Sequence, residues 1–251
     1  HETGGQHRGL AVATVGIIGA GAWGTALAAV LGRGSREGAR SHQVELWAFE
    51  PEVAAEIAEH RRNSRYLPGV TLPEGVTARR DPEAVATGKE YLILATPSLH
   101  ILPVLRRLLS IPSIVEGEAQ VGVITKGFVQ TSSGARLIVE TLEDYLPGFY
   151  RGNVVYISGP SHAEEVAQGK LTGLICASAN PRRAIRFRNL LNVEPLLVWS
   201  SLDVVGVQVA AAMKNVIAIA FGIMDALKER TGQEFGDNTE SLLLAAGLNE
   251  I

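Results

Sequence analysis

A doubly wound α/β sheet followed by an all-helical second domain is the fold class that this sequence predicts. Three observations predict it. Short β-branched runs alternate with helical stretches from Ala11 to Ser200, the runs Tyr91–Ala95 and Val121–Ile124 are apolar throughout, and strand signals stop after Trp199. Alternation at this spacing argues for parallel βαβ units, and unbroken apolar strands suit a sheet covered on both faces.

In chain order, Val12–Ile18 reads as a strand and Trp23–Arg33 as a helix rich in alanine and leucine. Further strands are predicted at Val44–Phe49, Val76–Arg79, Tyr91–Ala95, Val121–Thr125, Val154–Ser158, Leu174–Ser178 and Leu196–Trp199. Helical periodicity marks Glu52–Arg61, Ile101–Leu109, Ala135–Leu146 and Arg182–Leu191 between them. The polar, glycine-containing stretch Arg33–Gln43 reads as an enlarged surface loop. From Asp203 to Arg230 the chain is one long apolar helical stretch; a Gly-Gln-Glu-Phe-Gly-Asp turn and a second helix over Asn238–Leu248 follow. These changes place a domain boundary near residue 200: a nucleotide-binding domain over 1–200 and the start of a helical domain over 201–251. Two helices make a thin domain, so further residues are expected beyond Ile251, and with no initial methionine the sequence is not expected to begin at the native start.

Composition narrows the function classes. The 251 residues carry 46% hydrophobic and 20% charged side chains with a net charge of −3, the balance of a globular chain with no electrostatic reason to bind nucleic acid or an anionic membrane. The one cysteine, Cys176, lies in an apolar run and is expected to be an inert core thiol; disulfides and a cysteine-rich zinc site are excluded, which fits a reducing, cytoplasmic compartment. No run of eighteen uninterrupted apolar residues occurs, because Gln208, Lys214 and Asn215 break Val204–Met224. A small anionic metabolite remains a possible partner, because a few well-placed lysines suffice to bind it, while no metal, nucleic acid or membrane is expected.

Gly19-Ala20-Gly21-Ala22-Trp23-Gly24 follows a strand and opens a helix. Gly19 permits a tight turn, Gly21 lets backbone approach a pyrophosphate, and Gly24 allows close helix–strand packing, the pattern of a Rossmann-type dinucleotide site; an ordinary small-residue turn is the alternative. At the end of the second strand, Phe49 offers a face to adenine and Glu50 would accept ribose hydroxyls while repelling a 2′-phosphate, which favours NAD as cofactor. Glu50 and Glu52 also suit the start of the next helix, and both roles are compatible. The loops Ala95-Thr96-Pro97-Ser98 and Thr125-Lys126-Gly127 follow strands and should face the cofactor; Lys126 is either an anion contact or a solvated loop lysine. Ser161 with Glu164 forms a candidate capping box, whose helix start could also face substrate, and His162 beside it is a weak acid/base candidate. Lys214 and Asn215 interrupt an apolar helix, so the lysine either snorkels to solvent or lines a cleft, where desolvation would lower its pKa toward a range useful to a general base.

Taken together, these segments resemble the NAD-dependent glycerol-3-phosphate dehydrogenase family from Val15 to Ile251. The resemblance is carried by GAGAWGTALA (Gly19–Ala28), LWAFE (Leu46–Glu50), NSRYLPGVTLP (Asn63–Pro73), ATPS (Ala95–Ser98), TKG (Thr125–Gly127), SGPSHAEEVA (Ser158–Ala167), KNVIAIAFGI (Lys214–Ile223) and FGDNT (Phe235–Thr239). It implies NAD as cofactor, sn-glycerol 3-phosphate and dihydroxyacetone phosphate as substrates, and a homodimer. It further implies that Lys214 accepts the substrate proton and Lys126 contacts substrate and cofactor. Gly159, Ser161 and Asn215 would lie at the substrate, and Gly19, Gly21, Ala22, Trp23, Gly24, Phe49, Pro97 and Ala163 at NAD. Phe49 points to the eukaryotic-type branch. Departures are Glu240 where the family often has lysine, Ala245 where it often has arginine, an apparent insertion at Lys228–Gln233, and a phosphate-clamping segment expected after Ile251, without which turnover should be poor. The alternatives are a hydroxyacid or ketopantoate-type reductase and a non-catalytic dinucleotide sensor.

Overall fold

The computed structural model describes residues 12–34, 41–132, 134–159, 162–231 and 236–250. The chain begins with β1 (Thr14–Ile18), α1 (Ala22–Arg33), β2 (Gln43–Trp47) and α2 (Pro51–His60). A small hairpin, β3 (Arg62–Asn63) and β4 (Leu67–Thr71), precedes β5 (Val76–Arg79), α3 (Pro82–Ala86) and β6 (Tyr91–Leu94). Then come α4 (Ser98–Leu108), α5 (Pro112–Val115), β7 (Gln120–Val123), the hairpin β8 (Phe128–Thr131) and β9 (Gly134–Leu137), and α6 (Ile138–Tyr145). The remainder is β10 (Val155–Ser158), α7 (Ala163–Ala167), β11 (Thr172–Ala177), α8 (Pro181–Leu191), β12 (Leu196–Ser201), α9 (Val204–Thr231) and α10 (Asp237–Glu250).

Eight strands form one sheet in the order β12-β11-β10-β7-β6-β1-β2-β5. From β1 the chain winds outward through β2 to β5, returns to β6 on the other side of β1, and continues outward. The doubly wound expectation therefore holds, with the reversal of direction between β1 and β6, where ligands bind in such sheets. Full parallelism does not hold: β11 runs antiparallel to β10, and β12 pairs parallel with β11. Apolar runs report burial on two faces but carry no strand direction.

Each face has its own core. One packs α1, α2, α7 and α8 side chains, including Leu27, Ile57, Val166 and Phe187, on β1 and its neighbours. The other packs α3 to α6, through residues such as Val85, Leu105, Ile114 and Leu142, with Val204, Val207 and Ala211 of α9 set against it. Helix starts are chemically specified: Asp81 accepts the Glu83 N–H at 3.2 Å and Asn180 the Arg182 N–H at 2.9 Å, relieving donors that the first turn leaves open. Cys176 is fully buried, and burial pushes its thiol up to about 12, as an inert core thiol requires.

Several local expectations need correction. Ala135–Leu146 is not one helix: its first residues form β9, and α6 starts at Ile138. Gly134, at φ +109°, makes the turn that lets β8 and β9 pair. The strand expected from Val12 starts at Thr14, and residues 35–40 of the expected Arg33–Gln43 loop lie outside the described residues, Gln43 itself belonging to β2. No strand follows β12 among the described residues.

Helix α9 is long and apolar enough to cross a membrane by length and composition, with mean hydropathy 1.8 in its most apolar stretch. Its start is nevertheless fastened to the sheet half. Asp203 accepts the Gly206 N–H at 2.8 Å, and the Gln208 side-chain carbonyl accepts the Val139 N–H at 2.9 Å. At its far end Lys228 pairs with Asp237 and Glu240, each at 3.0 Å. Glu240, the departure from the family's lysine, thus meets its counter-charge in Lys228, which lies in the apparent insertion.

Candidate active site

The turn between β1 and α1 can be made only with glycine at two positions. Gly19 sits at φ +131°, and a Cβ there would stand 2.8 Å from the Ala95 carbonyl. A Cβ on Gly24 would lie 2.0 Å from the Gly19 carbonyl oxygen, so the helix can close on the turn only without a side chain. Gly21 differs: nothing lies within 4 Å of its missing Cβ. Its bareness is not demanded by packing, and it opens space beside the α1 N-terminus, which no side chain caps. Free amides and the helix dipole there suit a phosphate.

Asn63, 1% exposed, locks this turn from the side. Its amide donates to the Ala20 carbonyl and to the Thr25 hydroxyl, both at 2.8 Å. Sequence reasoning quoted Asn63 within a family string without giving it this task; the available signal was an asparagine entering an otherwise charged segment after α2.

A cleft of about 920 Å³ opens over the carboxyl ends of β1, β2, β6 and β7. Gly19, Gly21, Ala22, Trp23, Gly24, Phe49, Pro97 and Lys126 all line it, as does Glu50. Phe49 is 74% exposed, its ring edge-on to Trp47 at 6.1 Å, an uncovered aromatic face at one end of the cleft. Ser98, in a loop expected to face the cofactor, lines the cleft too; Tyr66, His100 and Arg107 also line it and were missed, because their relation to the glycine turn is set by the tertiary fold.

Buried hydroxyls tie the cleft floor together. The Tyr156 hydroxyl, on a fully buried side chain of β10, donates to the Thr125 carbonyl at 3.1 Å, and the Thr125 hydroxyl donates to the Thr96 carbonyl at 2.6 Å. Three strand ends are thereby joined, and Lys126 is carried on the middle one. The Thr96 hydroxyl is buried in the cleft wall with no partner among the described residues.

Lys126 also borders a small void of about 20 Å³ with Trp23, Ser158 and Gly159. Partial desolvation, and then the positive charge of Lys214, hold the Lys126 ammonium below the usual lysine range. The charge of Lys214, carried on α9, thus acts on an amine of the sheet half. Helical spacing explains how Lys214 gets there: Val204, Val207, Ala211 and Lys214 share one face of α9, and the first three pack on the sheet half. Lys214 is half-buried and Asn215, one position round the helix, is exposed.

Other expected site residues stand elsewhere or undescribed. Ser161, and with it the predicted capping box, lies outside the described residues; the position before α7 is held by His162, which is exposed and makes no side-chain cap. Ala163 is 6% exposed, packed in the core where α7 meets α1, and does not line the cleft. Among the described residues no group of three metal-ligating side chains occurs. A groove of about 670 Å³ at the amino ends of β2 and β5 is lined by Glu45, Arg79 and Lys89, which already pair with one another.

Comparison with known proteins agrees with this architecture. The profile described as NAD-dependent glycerol-3-phosphate dehydrogenase N-terminus matches residues 14–184, and that described as the C-terminus of the same enzyme matches 203–251. The glycerol-3-phosphate dehydrogenase [NAD(P)+] of Treponema denticola is 48% identical over 243 residues, covering 94% of this chain and 66% of the relative. That of Treponema pallidum is 48% identical over 249 residues, covering 96% and 68%. The solved glycerol-3-phosphate dehydrogenase of Coxiella burnetii superposes with a TM-score of 0.78 at 33% identity, covering 95% of this chain and 67% of that one. The yeast Saccharomyces cerevisiae structure gives 0.78 at 24% identity, covering 96% and 69%, a likeness of fold. The chain thus spans about two thirds of the length of the curated relatives it matches. The bacterial relatives at 48% identity overturn the eukaryotic-type leaning drawn from Phe49. On the matched profiles and these relatives, the chain belongs to the NAD-dependent glycerol-3-phosphate dehydrogenase family.

Proposed function

We propose that this protein is an NAD-preferring oxidoreductase that interconverts sn-glycerol 3-phosphate and dihydroxyacetone phosphate, with Lys214 as the proton acceptor. The observation that carries the reading is one cleft lined by the glycine turn, Phe49, Glu50 and Lys126, with the positive charge of Lys214 acting on Lys126. The open space at Gly21, the uncapped α1 N-terminus and the Glu50 carboxylate fit the pyrophosphate and ribose of a dinucleotide. The cleft volume is also of the size that small-molecule and cofactor sites require.

Bound nicotinamide supplies the hydride acceptor. The chain supplies the rest. Neutral Lys214 Nζ takes the proton of the substrate alcohol as its carbon–hydrogen bond is broken; in the reverse direction the ammonium donates to the ketone oxygen and protonates it as negative charge develops. Lys126 offers its ammonium to the anionic substrate. The Tyr156–Thr125–Thr96 chain holds Lys126 in register so that little ordering is left to do when substrate arrives. In this reading residues 1–200 hold the cofactor, and the helical part from 201 supplies the base and Asn215. A homodimer in the cytoplasm, acting without metal, nucleic acid or membrane, completes the proposal.

The test is NADH oxidation by the full-length protein with dihydroxyacetone phosphate or ketopantoate as acceptor. Turnover with the triose phosphate alone is expected, with NADPH the poorer donor. Preference for ketopantoate would move the assignment to the hydroxyacid reductases, and NADH binding with no turnover on either would make the chain a dinucleotide sensor.

A further inference from the structure

The adenosine end of the cleft holds a charge arrangement that the proposed reaction does not use. Glu50 follows β2, with its side chain only 23% exposed. The Tyr66 hydroxyl donates to its Oε1 at 2.5 Å, which fixes the carboxylate toward the cleft that Tyr66 also lines. Beside them stands Arg65. Its guanidinium lies 3.9 Å from the same Glu50 oxygen, yet its close contact is with Glu52 Oε1 at 2.7 Å, and it rests over the Tyr66 ring at 5.3 Å from the centroid. An arginine is thus parked next to the ribose-binding acid and held aside by a second acid one helical turn-start away.

Resting on the cofactor reading above, we propose that the Glu52–Arg65 ion pair is a latch that sets the preference between NADH and NADPH. A nucleotide 2′-phosphate brought to Glu50 meets a fixed carboxylate, which repels it. Arg65, 3.9 Å from the Glu50 carboxylate, is close enough to answer that charge, and a guanidinium binds phosphate well through its paired donors. To do so it must leave Glu52. Both partners are more than half exposed, at 52% and 63%, so the pair is held weakly and the latch biases the choice without closing it. NADH, lacking the 2′-phosphate, uses Glu50 as Tyr66 presents it and leaves Arg65 in place.

Binding rather than turnover isolates this claim. Dissociation constants for NADH and NADPH are measured by nucleotide fluorescence on the full-length protein, on Glu52→Gln, on Arg65→Gln and on the double variant. Glu52→Gln should shift the affinity ratio toward NADPH by about fivefold, with NADH affinity within about twofold. Arg65→Gln should weaken NADPH alone, and in the double variant the gain from Glu52→Gln should vanish, since a shared partner makes the two effects non-additive. An unchanged ratio in Glu52→Gln, or a gain that survives in the double variant, overturns the latch while leaving the cofactor site intact. Failure of the unmodified protein to bind either nucleotide overturns the cofactor reading and the latch together.

Discussion

In the sheet half, side chains such as Ile17, Leu27, Leu92 and Phe187 are enclosed almost completely, whereas on α9 and α10 Ile219 and Leu242 expose 66% and 68% of their surface. Val216, Ile223 and Leu248 are likewise more than half exposed. Both regions are apolar, but only the first has two sheet faces against which to bury that surface. The cleft is therefore shaped by the core of the sheet half, while the helical pair is held to that half where α9 begins. Lys214 lies one turn beyond the last anchored residue, Ala211, on the same face. Lys214, the proposed proton acceptor, is thus placed by the sheet half even though a helix of the other half carries it.

The contrast can be broken hardest through the core. Phe187→Ala, removing a ring packed edge-on to Tyr91 at 5.2 Å, should cost about 3–5 kcal/mol in urea unfolding. Ile223→Ser, on the exposed face of α9, should change stability by less than about 0.5 kcal/mol. Similar losses for both would mean that α9 is enclosed as tightly as the sheet.

Within the glycine turn the same logic separates packing from binding. Gly24→Ala forces a methyl against the Gly19 carbonyl and should lower stability by about 1–3 kcal/mol, read as a fall in Tm. Gly21→Ala meets no atom and should leave Tm nearly unchanged, but weaken NADH binding by about tenfold or more because the methyl occupies the phosphate's approach. An unaltered NADH affinity in Gly21→Ala would remove the pyrophosphate from this turn.

The smallest expected effect is on Lys126. Its ammonium is held below the usual lysine range, first by desolvation and then by Lys214. As pH rises, Lys126 should lose its charge before an ordinary lysine would, and affinity for an anionic substrate should fall at that earlier point. Lys214→Met removes the second cause only, so the alkaline limb should move upward yet stay below that of a free lysine. NMR titration of 13C-methylated lysines reads this directly; a limb that stays put would separate the two amines.

Much of this was legible in the residues. Strand–helix alternation, apolar strands and the glycine turn define the sheet and the cofactor end of the cleft, because burial periodicity and tight turns leave local marks. The hairpins were not legible. Arg62–Asn63 is too short and polar to carry a period, and Ala135–Leu137 continues the helical pattern of α6 into a strand that only Gly134 makes possible. The reversal of β11 left no mark either. Lys214 stood out as a charge in an apolar helix, whereas Asn63, Tyr66 and the Tyr156–Thr125–Thr96 chain act through partners between three and forty-three residues distant, and nothing local announces such pairings.

The proposal that Lys214 acts on the same substrate as Lys126 is tested most directly by a single-turnover reaction of the full-length protein with NADH and dihydroxyacetone phosphate, comparing the unmodified protein with Lys214→Met. The expected result is a rate lower by about a thousandfold with the NADH dissociation constant changed less than about threefold. Equal rates in the two proteins would contradict it.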